Sequence, residues 1–281
     1  MYKLSAFADE ASQELKGQIA AMQRNGISLL EIRGVDGENI SNITNEKARE
    51  IRRMLDGNGI SVWSMGSPVG KKKLTDDFSE QVEGFKRLIE NAYILGAKRI
   101  RLFSFYTEST PRDTALEAVI ERLSAFVELT PKEIILCHEN ERKIFGENID
   151  GCLAIHKALP SVRAVFDPAN FVQAGVDTLE AWAKLKDYVD YLHIKDSLSD
   201  CTVVPAGEGE GNVSFIVNDF LSRGGEVMTL EPHLKVFSGL SELETAGAKL
   251  KMTKLYRTND EAFDAAVAAL KKILDEREKT K

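Results

Sequence analysis

The chain alternates between two hydrophobic rhythms from one end to the other. Short apolar runs occupy residues 3–8, 27–32, 60–65 and 99–103. Four more follow: EIILCHEN at 133–140, VRAVFDPAN at 162–170, DYLHIKD at 190–196 and GEVMTLEPH at 225–233. Such runs, bounded by polar segments, predict strands. Between them apolar residues recur at helical spacing. Phe78, Val82, Phe85, Leu88, Ile89, Ala92 and Leu95 form one stripe. Leu116, Val119, Ile120, Leu123, Phe126 and Val127 form a second, beginning just after Pro111. Phe263, Ala266, Val267, Leu270, Ile273 and Leu274 form a third, for which Asn259 is the predicted N-cap.

Eight strand-then-helix units with mostly apolar strands predict a parallel sheet covered by helices, and eight is the number that closes a barrel. An open doubly wound sheet usually carries a glycine-rich turn after its first strand; FADEAS, at 6–12 here with its flanking alanine, has none. At 281 residues the chain suits one barrel of about 250 residues. No composition shift marks a second domain. The expected fold is α/β, a single (β/α)8 TIM barrel over residues 1–281. Two connections are long, 197–211 and 232–258. Long loops in a compact domain serve as lids, binding loops or contacts in a homo-oligomer.

The last four runs carry the chemistry, because each ends on a group able to bind a metal: Glu139, Asp167, His193 and Glu231. Alternation along a strand puts Ile135, Cys137 and Glu139 on one face, Val227, Thr229, Glu231 and His233 on another, and His193 with Lys195 on a third. Inward carboxylates at strand ends converge on the barrel axis and cannot all stay ionised without a cation. Three carboxylates and an imidazole suit one hard or borderline divalent ion, such as Mn, Mg, Co or Zn. The competing reading pairs these acids with rim arginines and lysines.

Charge and cysteine content narrow the partners. A net charge of −7, from 37 basic and 44 acidic residues, disfavours nucleic acid and anionic membranes. The three cysteines lack CxxC spacing, which disfavours a disulfide framework and predicts a cytoplasmic protein. The first residues, MYKLSAFADE, enter a strand pattern at once, so neither a signal peptide nor a membrane span is expected.

The motifs HEN at 138–140, FDPAN at 166–170, HIKD at 193–196 and LEP at 230–232 resemble the xylose isomerase-like TIM barrel superfamily, particularly its sugar phosphate isomerase/epimerase branch. HENERKIFGEN and VPAGEGEGN also look like this branch, and the resemblance covers nearly the whole chain. It implies one catalytic divalent ion on Glu139, Asp167, His193 and Glu231, with Glu139 and Glu231 moving the substrate proton through a metal-held enediolate. The implied substrate is a small carbohydrate, as sugar or sugar phosphate. An inosose dehydratase-like elimination and a non-catalytic sugar-binding barrel are the alternatives. One departure is visible. Ketose 3-epimerases of the superfamily place a histidine three residues after the metal-binding aspartate, and this chain has Asn170, which hydrogen-bonds a hydroxyl but does not titrate near neutral pH. The DNA-repair relatives use a histidine-rich trinuclear zinc site; four histidines and an acidic balance fit them poorly.

Further candidates for substrate contact are Glu31, Arg33, Lys71, His138, Asn170, Lys195 and His233. Lys195 would stabilise an enolate or bind a substrate oxygen, or sit in a rim salt bridge. Glu31 and Arg33 would bind a polyol or pair with the rim. Lys71 would meet a phosphate or carboxylate, or belong to a solvated charge run. His233 would reach substrate or Glu231, or simply lie in the loop. His138, opposite in parity to Glu139, suits support of the site better than ligation. His156 is expected at the surface, and the GEGEG loop at 207–211 is expected to be a flexible lid segment rather than a phosphate cradle.

Overall fold

The computed structural model describes residues 2–107, 110–237, 251–252 and 256–279. Eight strands close a parallel barrel: β1 (Lys3–Ala6), β2 (Leu29–Ile32), β3 (Ser61–Gly66), β4 (Arg99–Leu102), β5 (Ile135–Glu139), β6 (Arg163–Phe166), β7 (Val189–Ile194) and β8 (Val227–Leu230). Each strand pairs in parallel with its sequence neighbours, and β8 pairs with β1, Ser5 standing opposite Thr229. The helices are α1 (Leu15–Asn25), α2 (Asn45–Gly57), α3 (Phe78–Leu95), α4 (Arg112–Leu129), α5 (Ile149–Ala158), α6 (Pro168–Gln173), α7 (Thr178–Leu185), α8 (Val213–Ser222) and α9 (Asn259–Lys279). The chain is a (β/α)8 TIM barrel.

Strand alternation sorts the apolar side chains into two cores. Outward residues such as Leu30, Ile32, Ile100, Leu102, Leu192 and Met228 pack with the helices into the large core. Inward ones, Cys137, Val165, Tyr191 and Val227, with Leu29, Trp63 and Ile135 against them, fill the barrel's interior. Above that plug the inward positions turn polar: Glu31, Glu139 and His193 are buried there. The barrel is therefore packed below and chemical above, as the fold class requires.

The strands are shorter than the apolar runs. FDPAN leaves the sheet after Phe166, because Asp167 caps α6: its Oδ1 accepts from the Asn170 backbone N–H at 3.0 Å, and Pro168 fits the first turn. The predicted cap Asn259 is the first helical residue of α9. Thr258 is the cap, its Oγ1 accepting from the Glu261 N–H at 3.1 Å, while Asn259 Nδ2 donates to Glu10 O and Val236 O, 3.1 Å each. His156, expected at the surface, is buried. Its Nδ1 lies 3.1 Å from Val162 O and its ring stacks on Tyr188 at 5.1 Å, so a helical position facing the barrel was misread as solvent-facing. Most of the 232–258 connection, namely 238–250 and 253–255, lies outside the described residues. No described helix is long and apolar enough to cross a membrane.

Candidate active site

Glu139 is the last residue of β5 and His193 the penultimate residue of β7, whereas Asp167 and Glu231 stand one residue beyond β6 and β8. All four open at the C-terminal mouth. They are buried, and one donor atom from each lies within 4.8 Å of the others. Capping commits Asp167 Oδ1 to α6 and leaves Oδ2 for the cluster. Asn140 ties the ends of β5 and β6 together: its amide accepts from Asp167 N and donates to Asp167 O, both at 2.9 Å. Asn170 Nδ2 donates to Asn140 O at 2.9 Å and to Glu139 Oε1 at 3.3 Å.

His193 is held on both ring nitrogens. Nδ1 lies 3.0 Å from Glu139 Oε1, Nε2 lies 3.1 Å from Glu31 Oε2, and the edge of the Phe7 ring packs against it at 5.2 Å between centroids. Burial opposes a charge there, yet the Glu139 and Glu31 carboxylates raise the imidazole pKa well above its ordinary value. Glu31 is fixed in turn by the Tyr191 hydroxyl, which donates to Oε1 at 2.8 Å. A carboxylate on the far nitrogen is the usual partner of a metal-binding histidine, because it sets the tautomer and the ring orientation.

Three permanent cations knit the acids together. Lys195 Nζ lies 2.9 Å from both Asp167 Oδ2 and Glu231 Oε2. Arg101 Nη1 lies 3.0 Å from Glu139 Oε2. Arg33 reaches Asp9, Glu10 and Glu231 at 2.9 to 3.1 Å. Burial, reinforced by Glu231 and Glu139 and opposed by Lys195, pushes Asp167 up to about 7. Burial also pushes Glu10 up to about 8 despite Arg33. Against burial, Lys195 and His233 hold Glu231 well below the usual carboxylate range.

The residues fit one divalent ion. Glu139 Oε2 and Asp167 Oδ2 are buried oxygens without a hydrogen-bond partner among the described residues; their arginine and lysine contacts are ionic but misaligned. Burial raises Asp167, with Glu231 and Glu139 adding to it, and an added cation would offset that cost by favouring its charged form. Three oxygen donors and one nitrogen suit a hard or borderline metal. A second group, Glu10, Glu231 and His233, is also close together and shares Glu231 with the quartet; Arg33 bridges its two acids.

The remaining sequence candidates fall in different places. Lys195 joins the cluster. Asn170 contacts Glu139 and stays beside it. Glu31 lies beneath His193 with both oxygens engaged, so it supports the imidazole and presents no free edge to a polyol. Arg33 borders the open space, but its fork is filled by Asp9. His233, in the left-handed region at φ 47°, donates its backbone N–H to Glu10 Oε2 at 2.6 Å and lays its ring near Phe237 at 5.5 Å. Lys71 Nζ pairs with Glu141 Oε2 at 2.9 Å. His138 is a correction. Opposite parity turns its ring outward, where Nε2 lies 3.0 Å from Ser104 Oγ and the ring faces His156, so it makes no approach to the acid cluster.

The GEGEG loop is a second correction. Asp196 accepts backbone N–H bonds from Ser197, Gly207, Gly209 and Gly211 at 2.9 to 3.0 Å, so the loop is tied to the residue beside Lys195. A Cβ on Gly209 would lie 2.3 Å from Asp196 Oδ1, which explains a glycine there. Asp9, Glu10, Arg101 and Asn140 were missed. Arg101 had a signal: a charge at an inward position of RIRL, between Ile100 and Leu102, has to have a partner in the barrel.

A cavity of about 860 Å³ opens beside the cluster. Its walls come from the segments after β1 to β4, including Asp9, Gly34, Ser67, Lys71 and Phe103, with Phe237 added. Arg33 and Arg101 line it and also contact Glu231 and Glu139, so they form the partition between open space and the acid-and-histidine quartet. Gly70 lets the loop after β3 lie on Phe103, since a Cβ there would stand 2.1 Å from the Phe103 carbonyl oxygen.

The molecule thus joins a closed parallel barrel to an acid-and-histidine cluster at its C-terminal mouth whose residues could hold a metal ion. The chain belongs to the xylose isomerase-like TIM barrel family, whose model matches residues 19–256. Similar solved structures include a D-tagatose 3-epimerase-like protein, at 16% identity over 99% of each chain and a TM-score of 0.76. The IolI protein with a bound zinc atom matches at 15% identity over 98% of this chain and 99% of that one, TM-score 0.73. The probable 3-DHS dehydratase AsbF of Bacillus anthracis matches at 13% identity over 96% of this chain and 99% of that one, TM-score 0.71. At these identities the likeness is one of fold. No curated protein matches the sequence.

Proposed function

We propose that the protein is an isomerase or epimerase acting on a small polyhydroxylated carbonyl compound, with one divalent cation bound by Glu139, Asp167, His193 and Glu231. The observation that carries this reading is the quartet itself: four buried donors within 4.8 Å of one another, two of their oxygens lacking hydrogen bonds. When bound, such an ion supplies Lewis acidity that polarises a carbonyl and lowers the pKa of the adjacent C–H. Glu139 and Glu231 are the general bases. One removes the proton and the other returns a proton to a different face or carbon.

The surrounding residues keep each glutamate in place for that work. Arg101 and Asn170 hold Glu139, and Arg33 and Lys195 hold Glu231. Epimerases and a zinc-binding barrel among the similar structures support the reading. The dehydratase among them supports elimination as the alternative outcome, for which Lys195 beside Glu231 would protonate the departing hydroxyl. We place the protein in the cytoplasm, in keeping with three free cysteines. The test is a deuterium-uptake screen in heavy water with added Mn²⁺ across ketoses, aldoses and their acids. Uptake at a carbon next to a carbonyl, lost on chelation, is the expected result. Turnover that survives complete chelation would contradict it.

A further inference from the structure

We propose that Lys195 and a divalent ion compete for the same two oxygens, one on Asp167 and one on Glu231, so that Lys195 sets how tightly the quartet holds its metal. This rests on the proposed metal site and concerns what governs it.

Three buried cations touch the quartet, and they differ in the oxygens they take. Arg33 Nη1 reaches Glu231 Oε1 at 3.1 Å, and Arg101 Nη1 reaches Glu139 Oε2 at 3.0 Å. Each leaves the other oxygen of its glutamate turned to the quartet: Glu139 Oε1 lies 3.0 Å and Glu231 Oε2 3.5 Å from His193 Nδ1. Lys195 is placed otherwise. Its Nζ donates to Glu231 Oε2 at 2.9 Å and lies 2.9 Å from Asp167 Oδ2. Asp167 has no second oxygen to offer, because Oδ1 caps α6 by accepting from the Asn170 N–H. An ion bound by the quartet therefore shares both oxygens with the ammonium.

Shared oxygens fix how near the two charges come. A metal–oxygen bond of about 2.1 Å and a contact of 2.9 Å on one oxygen hold the ion and Nζ within about 5 Å. Lys195, Asp167 and Glu231 are 6%, 0% and 4% exposed, so water screens that repulsion poorly. The backbone has little room to retreat. Asp196, the next residue, is tied down by backbone N–H groups of Ser197, Gly207, Gly209 and Gly211. The side chain is the part that yields. Lys195 thus answers two buried acids from within the fold, with or without metal, and the consequence is an ion held loosely enough to exchange.

The test is a calorimetric titration of the chelator-treated full chain with Mn²⁺, comparing the wild type with Lys195→Met and Lys71→Met. Methionine keeps most of the stem and removes the charge. Lys195→Met should bind one ion at least ~10-fold more tightly, since a positive charge within about 5 Å is gone. Lys71→Met removes the same charge from a lysine paired with Glu141 outside the quartet, and should change the affinity less than ~3-fold. Equal or weaker binding by Lys195→Met overturns the competition, and so does equal tightening in Lys71→Met, which would assign the effect to net charge. A second readout needs no variant. In wild-type crystals grown with Mn²⁺, Nζ should have left at least one of the two oxygens; both contacts kept beside a bound ion overturn the proposal. A wild type that binds no ion removes the metal site itself, whereas one ion bound equally by wild type and Lys195→Met removes only the competition.

Discussion

The two halves of the barrel mouth are built on opposite plans. The ends of strands β5 to β8 supply Glu139, Asp167, His193 and Glu231, whose donor atoms gather within 4.8 Å of one another. Strands β1 to β4 and their loops surround about 860 Å³ of space lined by Gly34, Ser67, Lys71 and Phe103. One half concentrates charge and the other makes room. Arg33 and Arg101 belong to the roomy half by sequence and to the charged half by contact, which couples whatever enters the cavity to the two glutamates. The division suggests that chemistry and recognition reside on different strands, so substitutions can separate them.

The largest expected effect tests the charged half. Glu139→Gln and Glu231→Gln should each cut deuterium uptake by at least ~100-fold at saturating metal, the usual scale for a lost general base. If both variants exchange at near-normal rates, the two-base scheme fails. A failure of one alone points to a single-base elimination. A smaller effect belongs to the residue beneath the quartet. Glu31→Gln should weaken metal binding by about 10-fold or somewhat more, because its carboxylate orients His193 through Nε2. A metal titration showing wild-type affinity would remove Glu31 from that role.

The smallest effect lies outside both halves, between the barrel and α5. Burial lowers the His156 pKa to about 4, so the fold holds the ring neutral. The unfolded chain takes up a proton near the ordinary value of about 6.5, so this contribution is complete above that pH and is lost as pH falls toward about 4. The cost should be about 1 kcal/mol or less between about pH 7 and 6, growing below that. Denaturation across this range should show the slope, and His156→Asn should flatten it. A slope unchanged in the variant would mean that His156 is not the group responsible.

Much of this was legible in the chain. Eight apolar runs gave the closed barrel, and the strand-end acids with His193 do converge, because period-2 alternation fixes which side chains face the axis. Supporting residues were harder to read. Asp9 and Glu10 follow β1 in a short 3₁₀ turn, and nothing local says that Arg33, one residue beyond the next strand, will gather them. Glu31 looked like a polyol contact because parity gives the direction a side chain points but not its depth. The GEGEG segment looked mobile because glycine signals freedom; the acceptor that restrains it, Asp196, comes from the preceding strand end. Periodicity reports faces, and long-range pairs between loops leave no period.

The central claim is that the quartet binds one divalent ion, and calorimetric titration of chelator-treated protein with Mn²⁺ tests it most directly. The account predicts one ion per chain, with His193→Ala losing most of the affinity while its far-UV circular dichroism stays that of the parent. Binding of one ion with equal affinity in His193→Ala, or no specific binding by the parent, would contradict it.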